Sequence, residues 1–396
     1  MPKKPTYKPS RWSLKELYES FEDPAMEESY KLIESAAAKF ESLRDELKPG
    51  ISAKRFLEVI QSREAIDKLI SRVYGFAELS FAANTQDQKA QTAVARIQQV
   101  AAETANRVLF FELWWKALDD KNAARLLKGS GDYTYYLQQL RNFKPYTLTE
   151  AEEKVINIKN VTGNGALNML YDSITNRYVF KITVDGKEQE LTRGELMAYV
   201  RTSDPDLRAA AYQELYRVYG EQAPILGQIY QGIVRDWRNE NLQLRGFKSP
   251  IAVRNLVNDL PDEVIEKLID VTRKNIGIFH RFFKYKAKLL GMKKLRRYDI
   301  YAPVVDTDKR YSFNEAVDLT FEAYKRFDDK FLQMAQRVFN ENHIDSEVRK
   351  GKMDGAFCAT LLPELTPWVL MNYQDKFDDV STLAHELGHA VHSMMA

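Results

Sequence analysis

The sequence holds one cysteine, Cys358, in 396 residues, so no disulfide can form within the chain. That absence fits a reducing compartment. Glycine and proline are also scarce. They number 17 and 13, about 4% and 3% where roughly 7% and 5% are usual. Few breakers mean long uninterrupted elements, most economically helices. An excess of one charge is missing too, since 58 Lys+Arg face 56 Asp+Glu. Composition therefore gives no argument for nucleic acid or an anionic membrane as partner. The greasiest stretch, Val108 to Trp115, is broken by Glu112. It falls far short of the roughly 20 residues that span a bilayer. The N-terminus, MPKKPTYKPS, is basic and lacks the apolar region of a secretory signal. Together these absences predict a cytoplasmic protein with no nucleic-acid partner and no membrane partner.

What is present is a foldable mixture of 44% apolar and 29% charged residues. It excludes disordered and fibrous classes. At roughly 100–200 residues per domain, the length predicts two or three domains or one elongated one. Residues 1–12 read as a flexible lead. From Ser13 to about Asp119 the pattern is almost continuously helical, with Phe56, Ile60, Ile66, Ile70, Val73, Phe76 and Leu79 near helical spacing. The aromatic block ending at Trp114-Trp115 reads as ordinary core. Residues 129–147 form a Gly- and Tyr-rich break. Thr149 with Glu152, Thr192 with Glu195 and Ser312 with Glu315 are capping boxes that open helices. Tyr178 to Leu191 predicts a β-hairpin around Asp185-Gly186. A helix is expected from about 261 to 290, and another from Ser312 to about Phe339. GAFCATLL and PWVLMNY, bounded by Gly and Pro, predict two strands just before a last helix capped by Asp378 or Asp379. The chain thus divides into a helical region at 1–119, a lobe with the hairpin at 120–200 and a C-terminal domain at 201–396. The class is mainly α, with a small sheet beside the last helix.

That helix carries His385-Glu386-Leu387-Gly388-His389, an HExxH motif. Four residues is slightly more than one turn, so both imidazoles leave one face and can bind a single zinc ion. Glu386 is turned off the ligand line but can reach a water polarised by the metal and act as its base. A chance HExxH in a chain with five histidines arises about once in a few hundred sequences. Its place on a predicted helix after a predicted strand pair favours the metal reading over coincidence. His392 lies seven residues after His385. It reads as a further ligand or as a group near one, and three imidazoles at i, i+4 and i+7 do not converge easily, which favours the second. The metzincin pattern would place Gly at 392 and His at 395, where this chain has His392 and Met395. A catalytic zinc wants three protein ligands, and no third announces itself. His280 and His343 fall on distant helical stretches, where solvated or capping roles are expected.

Four blocks resemble a known family. They are RGFKSPIAVRN at 245–255, LRRYDIYAPVV at 295–305, IDSEVRKGKMDGAFCAT at 344–360 and WVLMNYQDKFDDVSTLAHELGHAVH at 368–392. In order and spacing they are similar to the oligoendopeptidase F branch of the thimet-oligopeptidase-like zinc peptidases, and residues 120–200 are similar to that family's N-terminal lobe. The resemblance implies an elongated multi-helix clamshell around a channel, one Zn2+ per active site and hydrolysis of short unstructured peptides. By position it makes His385 and His389 the zinc ligands, Glu386 the general base and Asp379 a group orienting a ligand, with His392 nearby. It makes Gly355, Ala356 and Phe357 a strand edge to which substrate backbone adds. Cys358 reads as a small packed hydrophobe. The family's third ligand, a Glu on a later helix, lies beyond Ala396. The expectation is therefore a partial catalytic domain, inactive alone, with a further C-terminal segment of the same protein completing the site. The alternative is a helical scaffold or binding protein that retains the motif without catalysis.

Overall fold

The computed structural model describes residues 6–304 and 309–396. Three capped helices open it. Asp23 accepts the Ala25 N–H to start α1, Pro24–Glu41. Ser52 accepts the Arg55 N–H to start α2, Ala53–Ala83, and Asp87 accepts the Lys89 N–H to start α3, Gln88–Ala117. Side-chain oxygens here satisfy N–H groups that a helix start leaves unpaired. The short link between α2 and α3 folds the two helices antiparallel. One core joins Phe56 and Ile60 of α2 to Phe111 and Trp115 of α3. A second joins Val73 and Phe76 to Ala90 and Ile97. The aromatic block is ordinary core, as expected. Phe111 and Trp115 are fully buried, and the Trp115 indole donates to the Leu137 carbonyl at 2.8 Å. Burial of each ring contributes about 1.5–3 kcal/mol.

The break expected at 129–147 contains a helix, Thr134–Asn142. Its Leu137 and Leu140 pack against the first core, and that tertiary contact overrides the Gly- and Tyr-rich composition. The hairpin forms as expected. Strands β1, Phe180–Val184, and β2, Lys187–Leu191, pair antiparallel across Asp185 and Gly186, both at positive φ. The three capping boxes are all present. The helix expected near 261–290 runs Asp262–Leu289.

The long helix expected after Ser312 is two helices, α4, Phe313–Phe327, and α5, Asp329–Asn340. Asp328 between them is extended (φ −164°, ψ 135°), and its side chain caps α5. A three-stranded sheet follows. It contains β3, Ile344–Asp345, β4, Phe357–Ala359, and β5, Trp368–Leu370, in the order β3-β5-β4. β3 pairs parallel and β4 antiparallel with β5. The two strands read from sequence are present but shorter, and β3 was not expected. The sheet is buried on both faces. Trp368, Leu370, Phe357 and Ala359 join the core of α2 and α3. Val369, Cys358 and Ile344 join a core built by α4, α5 and the last helix, α6, Phe377–Met395.

The described part of the expected lead, residues 6–12, is not free. Ser346 donates its N–H to the Ser10 carbonyl at 2.8 Å, and Ser10 donates its N–H to the Ser346 hydroxyl at 3.1 Å. Trp12 is buried. No helix among the described residues is long and apolar enough to cross a membrane.

Candidate metal centre

α6 is amphipathic. Leu383, Glu386, Leu387, Ala390 and Val391 are buried, and His385, His389 and His392 are exposed. The 3.6-residue period puts His385 and His389 one turn apart. Their Nε2 atoms are 3.1 Å apart and the rings stand at 88°. Two imidazoles each about 2.0–2.1 Å from one tetrahedral ion would hold their nitrogens about 3.3–3.4 Å apart. The observed spacing therefore fits a shared ion, and both nitrogens face solvent from which one can enter. Glu386 is 7% exposed. Burial pushes its carboxyl up, and the two imidazoles pull it partly back. A carboxylate made more basic in this way suits proton transfer.

Two neighbours fix the register of this helix. Asp379 accepts the N–H of Gln374 at 2.8 Å and of Lys376 at 2.9 Å, which caps the first turn. Among the described residues it makes no hydrogen bond to either imidazole. Tyr324 of α4 donates its hydroxyl to the Ala384 carbonyl at 2.5 Å, one residue before His385. Burial pushes that phenol up to about 12, so it stays a donor. Sequence reading missed Tyr324, because its partner lies 60 residues away and no local pattern links them.

β4 lies beside the motif and forms one edge of the sheet. Val369 donates its N–H to His343, so its backbone bonds face β3. Cys358, opposite Val369, is therefore a non-hydrogen-bonded pair with it. Its N–H and C=O point out of the open edge, whereas Phe357 and Ala359 spend theirs on β5. Of the expected edge residues, Phe357 is in the strand. Gly355 and Ala356 precede it, and the Gly355 carbonyl accepts from Asn372. Burial, with the charge of Glu386, pushes the Cys358 thiol up to about 12, so it is a packed apolar group and not a nucleophile.

Among the described residues, no third His, Cys, Asp or Glu joins the two imidazoles within ligand reach. His280 lies on the helix Asp262–Leu289 and is exposed. His343 departs from the expectation of a solvated or capping residue on a helix. It is fully buried just before β3, where it stacks on Trp368.

Comparison with known proteins covers nearly the whole chain. Residues 114–180 match the family described as Oligopeptidase F, and residues 198–396 match Peptidase family M3. The chain is 26% identical over 348 residues to the group B oligopeptidase PepB of Streptococcus agalactiae, which covers 86% of this chain and 57% of that protein. It is 20% identical over 390 residues to the oligopeptidase PepF of Bacillus subtilis, covering 96% of this chain and 57% of that one. The chain thus spans less than three-fifths of the length of either relative. The crystal structure of oligoendopeptidase-F from Enterococcus faecium superposes with a TM-score of 0.61 at 21% identity, covering 80% of this chain and 62% of that one. The fold the two share is mainly α. The match to the family description spans half the chain and includes the HExxH helix, so the chain belongs to peptidase family M3.

Proposed function

We propose that this chain carries the base and two zinc ligands of a metallopeptidase that cleaves short, extended peptides. The observation that supports this reading most is the His385–His389 pair, Nε2 atoms 3.1 Å apart on an exposed face, with the Glu386 carboxylate buried on the same helix. Zinc, when bound, supplies a Lewis acid that polarises a carbonyl and acidifies water. Glu386 accepts a proton from the attacking water and passes it to the leaving amine. The outward N–H and C=O of Cys358 receive an extended peptide backbone as an added strand beside β4, with Gly355 and Ala356 leading into it. Extended backbone is required for that pairing, so folded proteins are poor substrates. Asp379 and Tyr324 hold the register of α6, and His392 lies on the same exposed side as the ligands.

A second reading, peptide binding without turnover, is favoured by the donor count among the described residues, where two imidazoles fall short of the three ligands of catalytic zinc sites. Zinc content and cleavage of a quenched fluorescent peptide separate the two. Under the first reading, Glu386→Gln keeps the zinc and loses cleavage, and His385→Ala loses the zinc. Zinc binding with no cleavage by the protein as the cell makes it supports the second. Cleavage retained by Glu386→Gln removes Glu386 from the base role.

A further inference from the structure

We propose that Glu16, Glu341 and His343 form a second divalent-cation site, of the zinc or manganese class, which ties the N-terminal segment to the C-terminal sheet. Their potential ligand atoms all lie within 4.8 Å of one another. His343 is fully buried. Its Nδ1 is 2.8 Å from the Thr366 carbonyl oxygen. A carbonyl only accepts, so Nδ1 carries the proton and Nε2 of the neutral ring carries the lone pair. That Nε2 is buried and has no hydrogen-bond partner. The facing carboxylate oxygen, Oε2 of Glu16, is 3.6 Å away, beyond hydrogen-bonding length.

An orphaned lone pair aimed at two carboxylates is an electrostatic mismatch that a cation resolves. A proton would resolve it as well, but burial lowers the basicity of this imidazole and works against that occupant. The hydrogen bond from Nδ1–H to a backbone carbonyl is the orienting contact that metal-binding histidines ordinarily make. One imidazole with two carboxylates suits zinc or manganese. Trp368 stacks on the ring at 4.0 Å and 18°, which fixes its plane. Ser13 donates its N–H to the Asn342 carbonyl at 2.7 Å, and Trp368 donates its indole N–H to the Ser13 carbonyl at 2.9 Å. Those bonds keep Glu16 beside Glu341 and His343. Glu341 is shared with Arg337 at 3.2 Å, and the side chain of Glu16 is 46% exposed, which leaves an entry path.

The site uses none of the HExxH residues, so its test removes them. In a His385→Ala/His389→Ala background, calorimetric titration with zinc chloride, and separately with manganese chloride, should still find one equivalent of at least one ion. That ion should also raise Tm. Adding Glu16→Gln, a change at a half-exposed side chain, should weaken binding at least about tenfold and abolish the rise in Tm. Glu341→Gln should do the same. Binding of neither ion in the background variant overturns the proposal. So does binding that persists unchanged through both Gln substitutions.

Discussion

Replacing Asp299 by Asn tests the network behind the LRRYDIY block. The Asp299 side chain is fully buried. It accepts four hydrogen bonds, from the Arg296 N–H at 2.9 Å, Arg296 Nε at 2.8 Å, Arg296 Nη2 at 3.0 Å and Arg208 Nη2 at 3.0 Å. Arg208 is itself 2% exposed, and its other partners are the Thr202 and Ser203 carbonyls. Asn keeps the shape but removes the charge, and it turns an NH2 toward N–H donors. The buried Arg208 guanidinium then lacks a counter-charge, a loss worth about 3–5 kcal/mol. Burial pushes the Asp299 carboxyl up, but the hydrogen bonds from Arg296 and Arg208 outweigh it and hold the group at about 2. The folded value lies below the unfolded one. This stabilisation is therefore complete above about pH 5 and lost as pH falls toward 2, with an acid-linked part of about 2 kcal/mol. Hydrogen exchange of the helix Pro205–Glu221, which carries Arg208, reads the effect locally in a chain with several cores. At pH 7 the variant should open roughly 100-fold more often, equivalent to about 3 kcal/mol. The gap between wild type and variant should narrow between pH 5 and 3, after correction for intrinsic rates. An opening change below about fivefold, or a gap independent of pH, would refute the network's role.

Other substitutions probe the centre and its supports. Asp379→Ala removes the acceptor of the Gln374 and Lys376 N–H groups, so the start of α6 should lose about 1–2 kcal/mol of protection by hydrogen exchange. Tyr324→Phe deletes the bond to the Ala384 carbonyl and should cost about 1 kcal/mol in urea unfolding, with zinc affinity falling alongside it. Cys358→Pro removes the outward N–H of β4 while sparing the ladder to β5. Peptide KM should rise at least about tenfold with little change in circular dichroism, and an unchanged KM would count against strand addition. Gly75→Ala would press a methyl into Leu361, which the link between β4 and β5 carries, and Tm should fall as expected for about 1–3 kcal/mol of overpacking.

The local geometry of the candidate site was legible because its signals are local. HExxH needs only helical periodicity to set His385 and His389 on one face and Glu386 off it. The capping boxes and the Asp185-Gly186 turn work through residues three apart or fewer. What was not legible depends on partners far along the chain. β3 is two residues long, and only β5 makes it a strand. The helix at 134–142 is stabilised by a core formed with α2 and α3. The break at Asp328 hides in a pattern that stays helical on both sides, because the residue caps the second helix while ending the first. His343 read as a helical residue because the run before it is helical. The tertiary neighbours Trp368, Thr366 and Glu16 give it its environment.

The clasp between Ser10 and Ser346 has a consequence for biosynthesis. Its two halves are separated by 336 positions. At roughly 5–20 residues per second, the ribosome needs about 17–67 s to deliver the second half after the first. During that interval the N-terminal segment has no sheet to lie against, and Trp12 has no complete pocket. The α2–α3 pair, whose contacts are closer in sequence, can form first. Docking of the N-terminal segment then becomes a closing event of folding, and a bulky fusion at that end would burden assembly of the sheet beside the HExxH helix.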